Sequence, residues 1–256
     1  MREQGKRGLG WLAGHTLPRC SYRHCIFVLA HMRCGSTALS NIFCSRPDTS
    51  GYGETHVRHD GPDAPGRLAV NCLRRGSWKA GASFQFDKIL HSRLDKDAPA
   101  AFFDARAIFL VREPEPTIRS IVRLFEKLRR NEYRNHTEAA EYYIERLDAL
   151  ACLWDRFLPA QRIGFTHKAL LADPEGILSR ISRQLAIEPA LENAYRSPSA
   201  SRRGGGGDPL MSGRYTRIES TPQSSHGQDE PLDLPVALLD AAHARYAHLQ
   251  ALFAGV

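Results

Sequence analysis

No apolar run in the sequence is long enough to cross a bilayer. Runs such as Cys25–Ala30 and Ala107–Val111 fall far short of the roughly 20 residues a membrane helix needs. Cysteine is scarce, six in 256 residues, and no C-x-x-C pair occurs. This excludes a zinc ribbon and a thioredoxin-type motif, and it argues against a disulfide scaffold. No internal repeat is present, and no RNA- or DNA-binding motif is visible, so no nucleic-acid partner is expected. Met1–Arg7 is charged, but Gly8–Ala13 is too short and interrupted for a signal peptide. A cytoplasmic protein without a membrane span is expected.

What is present is a basic chain of globular composition. The formal charge is +7, with Arg dominating the basic set, and this balance suggests anionic ligands. Residues 1–22 carry Gly, Pro and Arg without periodicity and are expected to form a loose arm. Cys25–Ala30, Arg106–Val111 and Gln161–Thr166 read as short buried parallel strands. Helical spacing follows in Thr37–Cys44, from Pro114 to about Leu128, from an expected cap at Thr137 to Phe157, after Asp173, and over Pro235–Phe253. Gly51–Gly66 reads as loop, and Trp78–Leu94 as a short strand or turn followed by a helix. Strands alternating with helices predict an α/β protein, a three-layer α/β/α fold around a central parallel sheet. Residues 23–256 are expected to form one domain, with 196–230, rich in Ser, Pro, Gly and Arg, as an irregular loop or lid.

The segment after the first strand is Ala30-His31-Met32-Arg33-Cys34-Gly35-Ser36-Thr37. Backbone N–H groups in such a turn, together with a helix N-terminus, make a phosphate site. A nucleoside-triphosphate loop reads G-x-x-x-x-G-K-[ST]. Here Ala30 takes the first Gly position and Ser36 the Lys position, which counts against ATP or GTP hydrolysis.

Arg33-x-Gly35-Ser36-Thr37 resembles the 5′-phosphosulfate loop of sulfotransferases that use 3′-phosphoadenosine-5′-phosphosulfate (PAPS), with Cys34 standing where Ser or Thr is usual. Ile108-Phe-Leu-Val-Arg112-Glu-Pro114, with Ser120 eight residues after the Arg, resembles the 3′-phosphate motif of the same family. Gly51-Tyr-Gly53-Glu54 is similar to a Gly-Glu element of its bacterial and tyrosylprotein members. Phe86-Asp87-Lys88 resembles its Asp-Lys element, and the stretch to Ser212-Gly213-Arg214 its late Gly-rich loop. The resemblance implies a P-loop nucleotide-hydrolase-like fold and PAPS as co-substrate. Arg33, Cys34, Gly35, Ser36, Thr37, Arg112, Ser120, Gly213 and Arg214 would bind the nucleotide.

For the chemistry, the resemblance implies metal-independent, in-line sulfuryl transfer to a hydroxyl or amine of a small-molecule, glycan or peptide acceptor. Arg33 would face the leaving 5′-phosphate and Lys88 the transferring group. Glu54 is the candidate general base, with His56 and His91 as rivals. Trp78 is a candidate for stacking on adenine, set against a place in the core. The Arg129-Arg130 and Arg202-Arg203 pairs are candidates for steering the donor. Two other functions share the fold: a P-loop nucleotide kinase or phosphotransferase, and a non-catalytic polyanion-binding module.

Overall fold

The computed structural model describes residues 3–17, 19–197, 215–219 and 231–255. Five parallel strands form one sheet: β1 (Cys25–Ala30), β2 (Thr49–Ser50), β3 (Phe84–Ile89), β4 (Arg106–Val111) and β5 (Arg162–Thr166), in the order β2-β3-β1-β4-β5. The helices are α1 (Glu3–Thr16), α2 (Ser36–Ser45), α3 (Ala64–Arg74), α4 (Pro114–Lys127), α5 (His136–Trp154), α6 (His167–Ala172), α7 (Pro174–Gln184) and α8 (Val236–Ala254).

Strand periodicity divides the core in two. Ile26, Val28 and Ala30 of β1 and Ile108 and Leu110 of β4 join apolar residues of α2, α4 and α7. Their alternates Cys25, Phe27, Leu29, Phe109 and Val111 join α3, α5 and α8 on the other face. Both faces are covered, which is why these strands read as unbroken apolar runs. The expected three-layer α/β/α arrangement is the observed one.

Several local expectations need correction. The arm expected to be loose contains α1, which packs against α3, whose first three residues fall in the stretch expected to be loop. Glycines that look like helix breakers are the crossing point: a Cβ on Gly66 would collide with the backbone of Gly10 and Gly14. The 78–94 stretch holds β3 and then only a 3₁₀ turn, Ser92–Leu94. The cap of α5 is Asn135, not Thr137: the Asn135 side chain accepts from Glu138 N at 2.8 Å. Asp173 caps α7 as expected, accepting from Gly176 N at 2.9 Å. The late motif at Gly213 and Arg214, like Arg202-Arg203, lies outside the described residues.

Candidate active site

The C-terminal ends of β1, β3, β4 and β5 converge, the place where open parallel sheets bind ligands. The loop after β1 turns sharply, with Arg33 at φ 65° and Gly35 at φ 87°. Gly35 is required twice over. Its φ is left-handed, and a Cβ there would lie 2.6 Å from the His167 ring. Ser36 opens α2 and is buried, and Thr37 follows it in the first turn.

The two sequence motifs meet directly. Arg33 Nε donates to Ser120 Oγ at 2.8 Å, and Arg112 Nη1 donates to the Arg33 carbonyl at 3.1 Å. Arg112 Nε is buried and has no hydrogen-bond partner among the described residues. Cys34 is fully buried, and burial pushes its thiol up, although hydrogen bonding to Ser36 and the charges of Lys88 and Arg112 oppose the rise.

Lys88 projects from β3 on the face shared with Phe86, toward the loop and α2. Only 3% exposed, its ammonium has no hydrogen-bond partner among the described residues. Its neighbour Asp87 points to the opposite face and fastens the loop that carries Glu54. Asp87 accepts from Thr55 N at 2.9 Å and from Thr55 Oγ1 at 2.8 Å, and it pairs with the buried His59 at 3.1 Å. Lys88 N also donates to Gly53 O at 3.1 Å. Consecutive residues of one strand thus set both the phosphate-loop side and the Glu54 side of the site. Glu54 Oε1 lies 3.5 Å from His56 Nδ1, with the Glu54 side chain mostly buried. His91 is lowered to about 4 by burial and by the charges of Arg93, Arg146 and His56, so it is neutral at pH 7.

Four supports went unread in the sequence. His31 is fully buried, and its Nε2 accepts from Arg112 N at 3.0 Å. The other ring nitrogen therefore carries the proton and donates to Met32 O at 2.8 Å. Burial pushes His31 down to about 3, consistent with this neutral tautomer. From α5, Tyr142 donates to Leu90 O at 2.7 Å and accepts from Met32 N at 2.9 Å. Tyr143 donates to Arg112 O at 2.7 Å. Arg146, 1% exposed, donates to Ala30 O and Ile89 O at 2.9 Å and pairs with Asp95 at 2.9 Å. One helix thereby clamps the ends of β1, β3 and β4. Trp78 is not part of this constellation; it packs against the α3–α5 side of the core.

Residues 91–190 match the model of the sulfotransferase family. That stretch includes Arg112 and Ser120 but not the loop at 33–37. No curated protein matches the chain. Among solved structures, the sulfotransferase domain from the curacin biosynthetic pathway is 16% identical, with a TM-score of 0.61, 88% of this chain covered and 96% of that one. The sulfotransferase domain of the Synechococcus PCC 7002 olefin synthase is 16% identical, with a TM-score of 0.58 and coverages of 87% and 94%. A sulfotransferase from Alicyclobacillus acidocaldarius is 13% identical, with a TM-score of 0.51 and coverages of 89% and 94%. At these identities the structural likeness shows the fold, and the likeness to the sulfotransferase family is carried by residues 91–190.

Proposed function

We propose that this chain transfers a sulfuryl group from PAPS to a hydroxyl or amine, with residues 23–256 acting as one transferase domain. The observation that carries the reading is the union of the two motifs: Arg33 reaches Ser120, and Arg112 reaches Arg33. The donors fit a ligand with several anionic groups. Arg112 Nε and the Lys88 ammonium have no hydrogen-bond partner among the described residues, and the N-terminus of α2 adds backbone N–H groups.

Bound PAPS supplies a sulfuryl group whose S–O bond to the 5′-phosphate breaks as a new bond forms to the acceptor, S–O to a hydroxyl or S–N to an amine. Arg112 and Ser120 hold the 3′-phosphate. The N–H groups of 34–37, with Arg33 and the hydroxyls of Ser36 and Thr37, hold the 5′-phosphate and stabilise it as it leaves. Lys88 stabilises charge on the transferring group. Glu54 takes the acceptor's proton, with His56 beside it. Asp87 acts through position, by fixing the loop that presents Glu54. The work is placement and charge stabilisation, as in phosphoryl transfer, and the step as written needs no metal.

The test is incubation of the protein with PAPS and a panel of hydroxyl and amine acceptors, measuring release of adenosine 3′,5′-bisphosphate. Acceptor-dependent release is expected. ATP-dependent phosphorylation in its place would assign the site to a kinase.

A further inference from the structure

A cavity of about 530 Å³ lies between α1, α3 and the segments at 56–60 and 93–96, a size that suits a small molecule. Its wall carries Arg7, Arg58, Arg67, Arg93 and Lys96 against a single carboxylate, Asp60. Asp60 is already engaged, by Arg67 at 2.5 Å, Arg7 at 2.6 Å and Arg58 at 3.8 Å. Asp63 and Asp97 bind Arg67 at 3.0 Å and Arg58 at 3.1 Å without lining the cavity. Counting both still leaves five cations against three carboxylates. Arg93 and Lys96 have no hydrogen-bond or ion-pair partner among the described residues. One-signed charge in a concave wall concentrates ions of the opposite sign.

His56 connects this cavity to the transfer site. It lines the wall, and its Nδ1 stands 3.5 Å from Glu54 Oε1. Resting on the sulfuryl-transfer reading above, we infer that the cavity holds the acceptor and that the acceptor is itself an anion. It is a hydroxyl compound carrying its own carboxylate or phosphate, which Arg93 and Lys96 bind while the hydroxyl faces Glu54. The acceptor's negative charge also fits the engagement of Asp60, the carboxylate on the wall, whose charge is offset by Arg67 and Arg7.

Calorimetric titration of the whole protein, saturated with adenosine 3′,5′-bisphosphate, tests this with two matched pairs of probes. The first is 4-nitrophenyl β-D-glucuronide against 4-nitrophenyl β-D-glucoside; the second is glucose 6-phosphate against glucose. At least one anionic probe is expected to bind roughly tenfold or more tighter than its neutral partner, as charge-assisted hydrogen bonds supply. The preference is expected to shrink at high salt and to vanish in the R93E/K96E double variant, whose two altered side chains are exposed. Neither anionic probe binding tighter than its neutral partner would overturn the inference, as would a preference that survives in R93E/K96E. Failure of adenosine 3′,5′-bisphosphate to bind the wild-type protein is a separate result. It would remove the transferase reading, while the probe pairs still report on the cavity.

Discussion

Arg33 and Ser120 are 87 residues apart in sequence, yet the guanidinium Nε of one donates to the hydroxyl of the other at 2.8 Å. The contact joins the loop after β1 to the second turn of α4. It exists because both elements leave the same edge of the sheet, from adjacent strands β1 and β4. A ligand with two phosphate groups can engage both at once.

Glu54→Gln should leave nucleotide affinity unchanged and lower turnover by roughly 10²–10⁴-fold, the usual contribution of a general base. His91→Asn should retain most of the activity, because His91 is lowered to about 4 by burial and neighbouring charge and is a weak base there. Steady-state kinetics on both variants decides between them. The opposite pattern would move the base to His91.

Asp87→Asn separates positioning from binding. It weakens the hold on Thr55 and His59, so kcat should fall while the affinity for adenosine 3′,5′-bisphosphate stays near wild type. Loss of a buried charged hydrogen-bond acceptor should also cost about 1.5–3 kcal/mol in urea unfolding. Equal losses of kcat and nucleotide affinity would show that Asp87 merely supports the fold.

Arg146→Met should be among the most destabilising single changes, at about 3–5 kcal/mol, because it strands the buried Asp95 carboxylate. Burial already raises the Asp95 pKa, although Arg146 opposes the rise. Adding Asp95→Leu should recover only part of the loss, since Arg146 also satisfies the carbonyls of Ala30 and Ile89. Urea titration of the two variants measures the difference.

His31, His91 and His167 are all lowered chiefly by burial, to about 3, 4 and 4, from an ordinary value of 6.5. Between those values the unfolded chain binds more protons than the folded one. Stability therefore rises with pH across the window and is lost as pH falls from about 6.5 toward 4. Thermal melts between pH 4 and 7 should show this slope, and His91→Asn should flatten it in part. A melting temperature constant across the window would contradict the burial of neutral imidazoles.

Much of this architecture is legible in the sequence where one physical cause dominates. β1 and β4 are buried on both faces, so their apolar runs announce them, and the anchors Arg33 and Arg112 follow at their ends. β3, legible only as a short strand or turn, is weaker in the sequence for the opposite reason. It buries Gln85, Asp87 and Lys88, polar residues that a local pattern assigns to the surface. The partners of Asp87, His59 and Thr55, come from a distant segment. The same holds for His31, Tyr142, Tyr143 and Arg146, whose bonds go to backbone carbonyls and N–H groups at strand ends. Such contacts leave no spacing signature. α1 and α3 were obscured because their glycines serve a close helix crossing, a tertiary demand that local propensity reads as a break. Cys34, which stands where a hydroxyl residue is usual, is buried beside Ser36, Lys88 and Arg112.

Calorimetric titration with adenosine 3′,5′-bisphosphate, without metal, on the wild type, Arg33→Ala and Arg112→Ala proteins tests the central claim most directly. The wild type should bind, and each variant should bind roughly ten- to a hundredfold more weakly, as expected for a lost charged hydrogen bond. Wild-type affinity in both variants would contradict the claim that these two strand ends form one nucleotide site.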